Sequence, residues 1–416
     1  MKIGFVSLGC SKNLVDTEMM IKFYKDKGYD IVQNPVEAEI IVINTCGFIE
    51  KAKQEAIDTI LEMADYKVTG ACQKLIVTGC LVERYLDELQ SEIPEVDLFV
   101  PIRDYDKIFE KLDYKDRVIT TGSYAYLKIA EGCSNNCTYC AIPYIRGKYV
   151  SRPFEDILEE AKMLYAQGYK EIIVIAQDTT KYGIDLYGKN RFAELLNEIA
   201  KINFAWIRFL YSYPETITDE LIEVVKNNDN ICNYFDIPIQ HISDSVLKRM
   251  GRRSTSETIL DVIAKLRKNI PDVIIRTSLI VGFPGEAVED FEKLKSFVKG
   301  AKFDRLGVFE YSKEDGTPAE RLDGHLEDSI KVQRRNEIME LQNGISKVKN
   351  EELIGKTLEC KVFEEIDGAY LARSYRDVPN EDGVVIIKAD RKCNIGDIVL
   401  AKVINGEDYD LVAELI

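Results

Sequence analysis

The stretch Ala130–Ile145 reads AEGCSNNCTYCAIPYI and sets Cys133, Cys137 and Cys140 at the spacing C-x3-C-x2-C. Three thiolates on one short loop hold three corners of an iron–sulfur cube and leave the fourth iron open. An open iron is a place for a substrate or cofactor, not merely an electron store. The strand-like run Tyr126–Ala130 leads into the loop and Tyr139 stands beside its last cysteine, as expected at the mouth of a barrel. Zinc and a disulfide pair are the competing readings. Zinc asks for a fourth local ligand, usually from a second paired Cys or His motif, and none follows nearby.

The loop resembles the signature of the radical S-adenosylmethionine (SAM) superfamily. The rest of the chain bounds what such a loop can serve. A length of 416 residues gives room for about two to four domains and an ample core. Met1-Lys2 runs straight into a strand pattern, and no apolar run is long enough to cross a membrane. A cytoplasmic protein is therefore expected, whose ten cysteines sit in a reducing setting that favours metal binding over disulfides. Only His241 and His325 supply imidazole, so histidine-based metal or acid–base chemistry is poorly provided for. The net charge of −16 repels phosphate backbones and attracts basic partners.

Residues 1–100 alternate strand and helix patterns, which predicts a parallel α/β sheet. The strand runs Ile3–Leu8, Ile40–Asn44 and Leu75–Thr78 are each followed by a helical pattern, Leu14–Lys27, Glu50–Tyr66 and Val82–Ile93. Just past each strand sits a cysteine: Cys10, Cys46 and Cys80. Ligands of open α/β sheets bind at that edge, so the three converge on one rim as a second three-thiolate set. Three unrelated buried thiols are the alternative. Cys72 lies away from the rim, and Cys232, Cys360 and Cys393 have no evident role.

Pro101–Thr121 reads as a linker with a short helix, Asp104–Leu112. Six strand–helix units follow, starting at Tyr126–Ala130, Glu171–Gln177, Trp206–Tyr211, Tyr234–Ile239, Val273–Val281 and Arg305–Tyr311. They predict an incomplete (β/α)6 barrel whose active edge lies at the carboxyl ends of the strands. Polar or Gly-rich residues after those strands, Gln177, Asp178, Ser212, Gln240, Gly282 and Glu286, are the candidate lining of a SAM pocket. Gly282 and Gly285 read equally well as turn formers, and His241 as a polar contact near the rim. From Glu352 onward apolar residues alternate between turns such as Asp367-Gly368 and Asn405-Gly406, which predicts a small antiparallel β-barrel. That module carries 8 Lys and Arg against 14 Asp and Glu.

The stretches SLGCSKNLVDTE (Ser7–Glu18), NTCGFIEKAKQEA (Asn44–Ala56), TGC (Thr78–Cys80) and EGCSNNCTYCAIPYIRG (Glu131–Gly147), with the terminal barrel, resemble the radical SAM methylthiotransferases. The resemblance implies a methylthiotransferase domain (1–116), a radical SAM core (119–349) and a TRAM barrel (352–416). It implies one 4Fe–4S cluster on Cys10, Cys46 and Cys80, and a second on Cys133, Cys137 and Cys140 with SAM on the open iron. Members that modify tRNA adenosine (the MiaB type) open with a pattern like F-G-C-Q-M-N. Leu8–Asn13 reads LGCSKN, which resembles the RimO-type branch. That branch implies replacement of a β-carbon hydrogen of an aspartate in small-subunit ribosomal protein S-twelve by a methylthio group. SAM is then both radical source and methyl donor, and a flavodoxin or ferredoxin donates electrons. The acidic barrel suits a basic ribosomal protein, alone or in the small subunit, better than RNA as its main contact. A non-enzymatic iron–sulfur carrier that binds RNA is the reading from another class, and it would have no use for a six-unit barrel.

Overall fold

The structure, a computed structural model, describes residues 1–109, 112–389 and 391–416. The β-branched runs Lys2–Ser7, Ile40–Thr45 and Lys74–Gly79 form neighbouring parallel strands, and the middle one is buried along its whole length. Asp30–Val32 and Leu98–Val100 add one strand at each edge. Both are too short to announce themselves by periodicity. Helices Ser11–Asp26, Glu50–Thr69 and Cys80–Glu92 follow the three main strands. In place of one helix over Asp104–Leu112 there is a 3-10 turn, Ile102–Asp104, and a single helical turn, Tyr105–Ile108; positions 110 and 111 of that expectation lie outside the described residues.

Six parallel strands form the centre: Tyr124–Lys128, Glu171–Ile175, Trp206–Phe209, Tyr234–Asp236, Ile274–Val281 and Arg305–Glu310. They hydrogen-bond in two groups of three, joined by a bridge from Ile207 to Ile231, and the first and last strands do not pair with each other. The barrel is thus open, and its outer helices bury one large core against the strands. The inner face needs covering too. Tyr126, Ile175, Trp206 and Tyr234 from the strands pack with Val15 and Met19 of the first helix and with Val378 from the C-terminal module. An open barrel is closed here by its two neighbours.

The last module is a closed barrel of Thr357–Ile366, Ala369–Ser374, Val385–Lys388, Ile398–Gly406 and Leu411–Leu415. The long helix Asp328–Glu351 leads into it, and a Cβ at Gly406 would come 2.6 Å from the Asn350 carbonyl carbon. Buried Glu171 of the central barrel pairs with Arg373 at 2.8 Å, Arg208 at 3.4 Å and Lys361 at 3.5 Å. Arg276 pairs with Glu381 at 2.5 Å, and Tyr234 donates a hydrogen bond to Asp382 at 2.6 Å. Glu381, though itself exposed, and half-buried Asp382 therefore belong to a joint, whereas exposed Glu364, Glu365 and Asp367 make no ion pair among the described residues. An acidic count says how much charge a module has, not which side of it faces solvent.

Candidate active site

Cys10 caps the first helix, Cys46 follows the strand Ile40–Thr45, and Cys80 opens the helix after Lys74–Gly79. Each has a glycine neighbour that lets the backbones converge. A Cβ on Gly9 would lie 2.7 Å from the Cys46 Cβ and 3.0 Å from its sulfur; one on Gly47 would meet the Leu81 backbone at 2.7 Å; one on Gly79 would meet the Thr45 carbonyl oxygen at 2.5 Å. Asn13 stitches the rim, donating from Nδ2 to the carbonyls of Leu8 and Thr45, both at 3.0 Å. Cys10 is exposed, Cys46 partly buried and Cys80 buried. Burial pushes the Cys80 thiol up to about 12, against the opposing pull of Arg146. Buried thiols of this kind ionise only when a metal takes the charge.

The central loop is anchored from several sides. Gly132, at φ +73°, lies so close to the carbonyls of Arg146, Gly147 and Lys148 that no side chain fits there. Asn135 donates to Asp178 at 2.6 Å, and Thr138 N–H donates to the Met250 carbonyl at 2.9 Å. Arg252 stacks over Tyr213 at 4.2 Å and reaches within 4.0 Å of the Cys137 sulfur, while the Tyr213 hydroxyl is 3.8 Å from the same sulfur. Burial raises Cys133 to about 11. All ten cysteines are free thiols, so neither set contains a disulfide. Among the described residues, no three His, Cys, Asp or Glu side chains converge tightly enough for a single ion. Thiolates that ligate separate irons of one cube stand further apart than that.

The donor sets fit the groups they would hold. Each triad offers three thiols on converging backbone and lacks a fourth, as an open-cornered cube requires. Beside the central loop, Gln177 Oε1 and Ser212 Oγ are buried without a hydrogen-bond partner. Buried polar atoms left unpaired are costly, and a polar cofactor such as SAM would offer them a partner. Gln177 spends its amide on Glu131 at 2.7 Å and keeps the carbonyl free. Asp178 is raised to about 6 by burial, and it holds the loop through Asn135. Gln240 sits half-buried at the rim in a left-handed conformation, φ +73°. The turn after Ile274–Val281 is used otherwise. Gly282 lies against the Lys331 side chain, and the Glu286 carboxylate accepts from Phe283 N–H at 3.0 Å and pairs with Arg334 at 2.8 Å. A carboxylate so engaged braces the C-terminal helix. His241 is buried, accepts from Ser243 N–H at Nδ1, and is drawn down to about 4 by burial.

A buried ionic seam joins the two triads. Arg146 pairs with Asp16 at 2.5 Å and Glu131 at 3.3 Å, hydrogen-bonds Asn13 Oδ1, and lies 3.6 Å from the Cys80 sulfur. Lys128 pairs with Asp16 at 2.8 Å. Cys80 itself packs against Ala141 and Ile145, just past the central loop. On the far side Arg84 pairs with Glu314 at 3.0 Å and Tyr85 donates to Asp315 at 3.0 Å. The first triad thus sits over the mouth of the open barrel. Sequence reasoning missed Arg146, Asp16 and Asn13, although all three lie inside the stretches that carry the resemblance. It had no means to find Arg252, which comes from a distant turn.

Three family models match the chain: the Uncharacterized protein family UPF0004 over residues 2–101, the Radical SAM superfamily over residues 127–298, and the TRAM domain over residues 354–416. A protein of Alkaliphilus oremlandii named ribosomal protein uS12 methylthiotransferase RimO is 55% identical over 100% of this chain and 99% of its own length. The chain belongs to the RimO methylthiotransferase family. A RimO of Clostridioides difficile is 51% identical over 100% of this chain and 99% of its own. Among solved structures, the radical SAM methyltransferase TsrM of Kitasatospora setae, with cobalamin and a [4Fe-4S] cluster bound, aligns with a TM-score of 0.55 at 12% identity, covering 95% of this chain and 83% of that one. The radical SAM enzyme OxsB aligns with a TM-score of 0.51 at 13% identity, covering 80% of this chain and 56% of that one. These two likenesses concern the fold, which the RimO family shares with radical SAM enzymes of other chemistry.

Proposed function

We propose that the protein is a radical SAM methylthiotransferase that replaces a β-carbon hydrogen of an aspartate in ribosomal protein uS12 with a methylthio group. The observation that carries the reading is a pair of three-cysteine sets joined over one barrel mouth, in a chain alike along its whole length to RimO proteins. Cys133, Cys137 and Cys140 would hold the cluster that binds SAM, and Cys10, Cys46 and Cys80 the cluster that delivers sulfur. When bound, these clusters and SAM supply the electron, the hydrogen abstraction, the sulfur and the methyl group. No side-chain base performs that step readily, because the aspartate β-hydrogen is not acidic.

The chain's own residues position and enclose. Asn135, Asp178, Thr138 and Gly132 fix the central loop. Gln177 and Ser212 offer free polar atoms to SAM. Arg146, Asp16 and Lys128 hold the 1–116 unit on the 119–349 core so that both cysteine sets serve one substrate carbon. The 352–416 barrel presents Glu364, Glu365 and Asp367 to a basic partner. A cytoplasmic setting with a reduced flavodoxin or ferredoxin as donor completes the proposal; no helix among the described residues is long and apolar enough to cross a membrane.

The test is to reconstitute the protein anaerobically and supply SAM and reductant, with uS12, with small subunits, and separately with tRNA. A methylthio mass gain on an aspartate of uS12 is expected. Modification of tRNA with none on uS12 would replace the substrate and leave the cysteine assignments standing.

A further inference from the structure

Lys12 takes no part in either cysteine set or in the ionic seam between them, yet its placement is costly. It lies in the first turn of Ser11–Asp26, a turn without any acidic side chain. A cation there opposes the helix dipole. It is also only 6% exposed. A buried ammonium without a counter-charge is strongly disfavoured. Its contact is the face of Tyr211, with Nζ 3.1 Å from the ring centroid, and among the described residues it makes no ion pair.

The acidic groups whose charge acts on it are Cys10, Glu381, Asp236 and Glu131. Every one of those carboxylates is taken by another cation. Asp236 and Glu381 pair with Arg276 at 2.9 and 2.5 Å, and Glu131 pairs with Lys128 and Arg146. Lys12 is the cation left over. Its floor is built rather than accidental. Tyr211 holds a left-handed backbone, φ +63°, that a bulky residue adopts only under constraint, and its N–H donates to Asp236 at 2.9 Å. Cys10 is exposed and Tyr211 half-buried, so the ammonium lies just beneath an accessible surface. Ser212, the next residue after Tyr211, is buried and keeps its hydroxyl unpaired.

We propose that Lys12, seated on Tyr211, receives the side-chain carboxylate of the substrate aspartate and so sets the choice of an acidic residue over a neutral group. The proposal rests on the uS12 reading above. Lys12 is two positions from Cys10 of the first set, and Tyr211 is two positions from Tyr213, whose hydroxyl is 3.8 Å from the Cys137 sulfur of the second, so a carboxylate held there would have a cysteine set on either side. Lys12→Met, a near-isosteric neutral change, removes the charge and keeps the volume.

The experiment uses the reconstituted enzyme without reductant and measures binding of two synthetic peptides that span the uS12 target, one with Asp and one with Asn at the modified position. SAM binding and iron content are measured on the same samples. Wild type should favour the Asp peptide by about tenfold or more. Lys12→Met and Lys12→Gln should lower Asp-peptide affinity to that of the Asn peptide, and Lys12→Arg should keep the preference. Persistence of the Asp preference in both neutral variants would overturn the proposal. So would loss of SAM affinity with the peptide preference intact, which would give the ammonium to the carboxylate of SAM. Loss of iron in the neutral variants but not in Lys12→Arg would also overturn it, by giving the charge to the cluster. A wild type that binds neither peptide while methylthiolating tRNA would overturn both this proposal and the reading beneath it.

Discussion

The two cysteine sets reach similar ends by opposite construction. Cys133, Cys137 and Cys140 lie within eight positions of one another, and their loop is shaped by local turns and tied down by Asp178 and Met250. Cys10, Cys46 and Cys80 come from three strand ends, and glycines beside each let them meet. Each set also has one arginine at a sulfur. Arg252 approaches Cys137 from a stack on Tyr213, and its Nη2 donates to the Pro238 carbonyl at 2.8 Å. Arg146 approaches Cys80 from the neighbouring domain and is paired with Asp16 and Glu131. The loop set is therefore a property of one domain, whereas the rim set depends on how two domains are joined.

The largest expected effect comes from removing each set in turn. Wild type should load about eight irons per chain, as two cubes require, and either triple Cys→Ala variant about four. Loss of Cys133, Cys137 and Cys140 should abolish reductive cleavage of SAM. Loss of Cys10, Cys46 and Cys80 should preserve that cleavage and stop sulfur insertion. Iron analysis and detection of 5′-deoxyadenosine decide it. Full iron retention in either variant would sink the corresponding assignment.

Arg146 offers the next test, because it belongs to the rim set and to the joint at once. Arg146→Met leaves buried Asp16 and half-buried Glu131 with only Lys128 as counter-charge. Breaking a buried pair of this kind costs about 3–5 kcal/mol. The unfolding midpoint should fall, and iron should be lost from the rim set in preference to the loop set. Equal loss from both sets would mean that the arginine serves folding alone.

The same contrast governs what could be read from the amino acids. The loop set was legible because its three cysteines share one short stretch of sequence. The rim set became legible once three strands had been placed, since a parallel sheet sends every strand end to one edge. The six barrel strands followed from apolar runs, with ends displaced by up to three residues; the largest displacement falls on Ile237-Pro238-Ile239, where the apolar run continues past the end of the strand. Asp30–Val32 and Leu98–Val100 escaped because three residues carry no period. The candidate lining residues divide in a way their types do not foretell. Gln177 and Ser212 keep free polar atoms, whereas Glu286 looked the same in sequence and is engaged by Arg334. Whether a polar side chain is free depends on a partner 48 positions away, which no local pattern encodes.

Glu171 lies at the other joint, where Arg373 and Lys361 of the terminal barrel reach the central one. Burial would raise its carboxyl, but Arg373, Arg208 and Lys361 outweigh that and hold it at about 2, against an ordinary 4.5. A depressed carboxyl stabilises the fold fully above its ordinary value and loses that contribution as pH falls from 4.5 toward 2. The shift corresponds to roughly 3 kcal/mol. Stability measured by urea unfolding should therefore decline across that window, and Glu171→Gln should be destabilised at neutral pH with a flatter acid limb. Iron content at neutral pH should stay unchanged, unlike that of Arg146→Met. A loss of iron in Glu171→Gln would erase the distinction between the two joints.

The smallest effect is expected where neither set is touched. Glu364, Glu365 and Asp367 are exposed on the terminal barrel, so reversing them to Lys alters the field met by an approaching basic protein and little else. Such steering acts mainly on the association rate and is screened within about 10 Å at 0.1 M salt. The triple reversal should slow association with uS12 several-fold at low salt and converge with wild type as salt rises, with iron content unchanged. Glu381 and Asp382 must be left out, because reversing them would place like charges against Arg276 and break a joint. Association rates that ignore both the reversal and the salt would show that the acidity of this barrel serves solubility, and that substrate choice is made entirely at the mouth where the two cysteine sets meet.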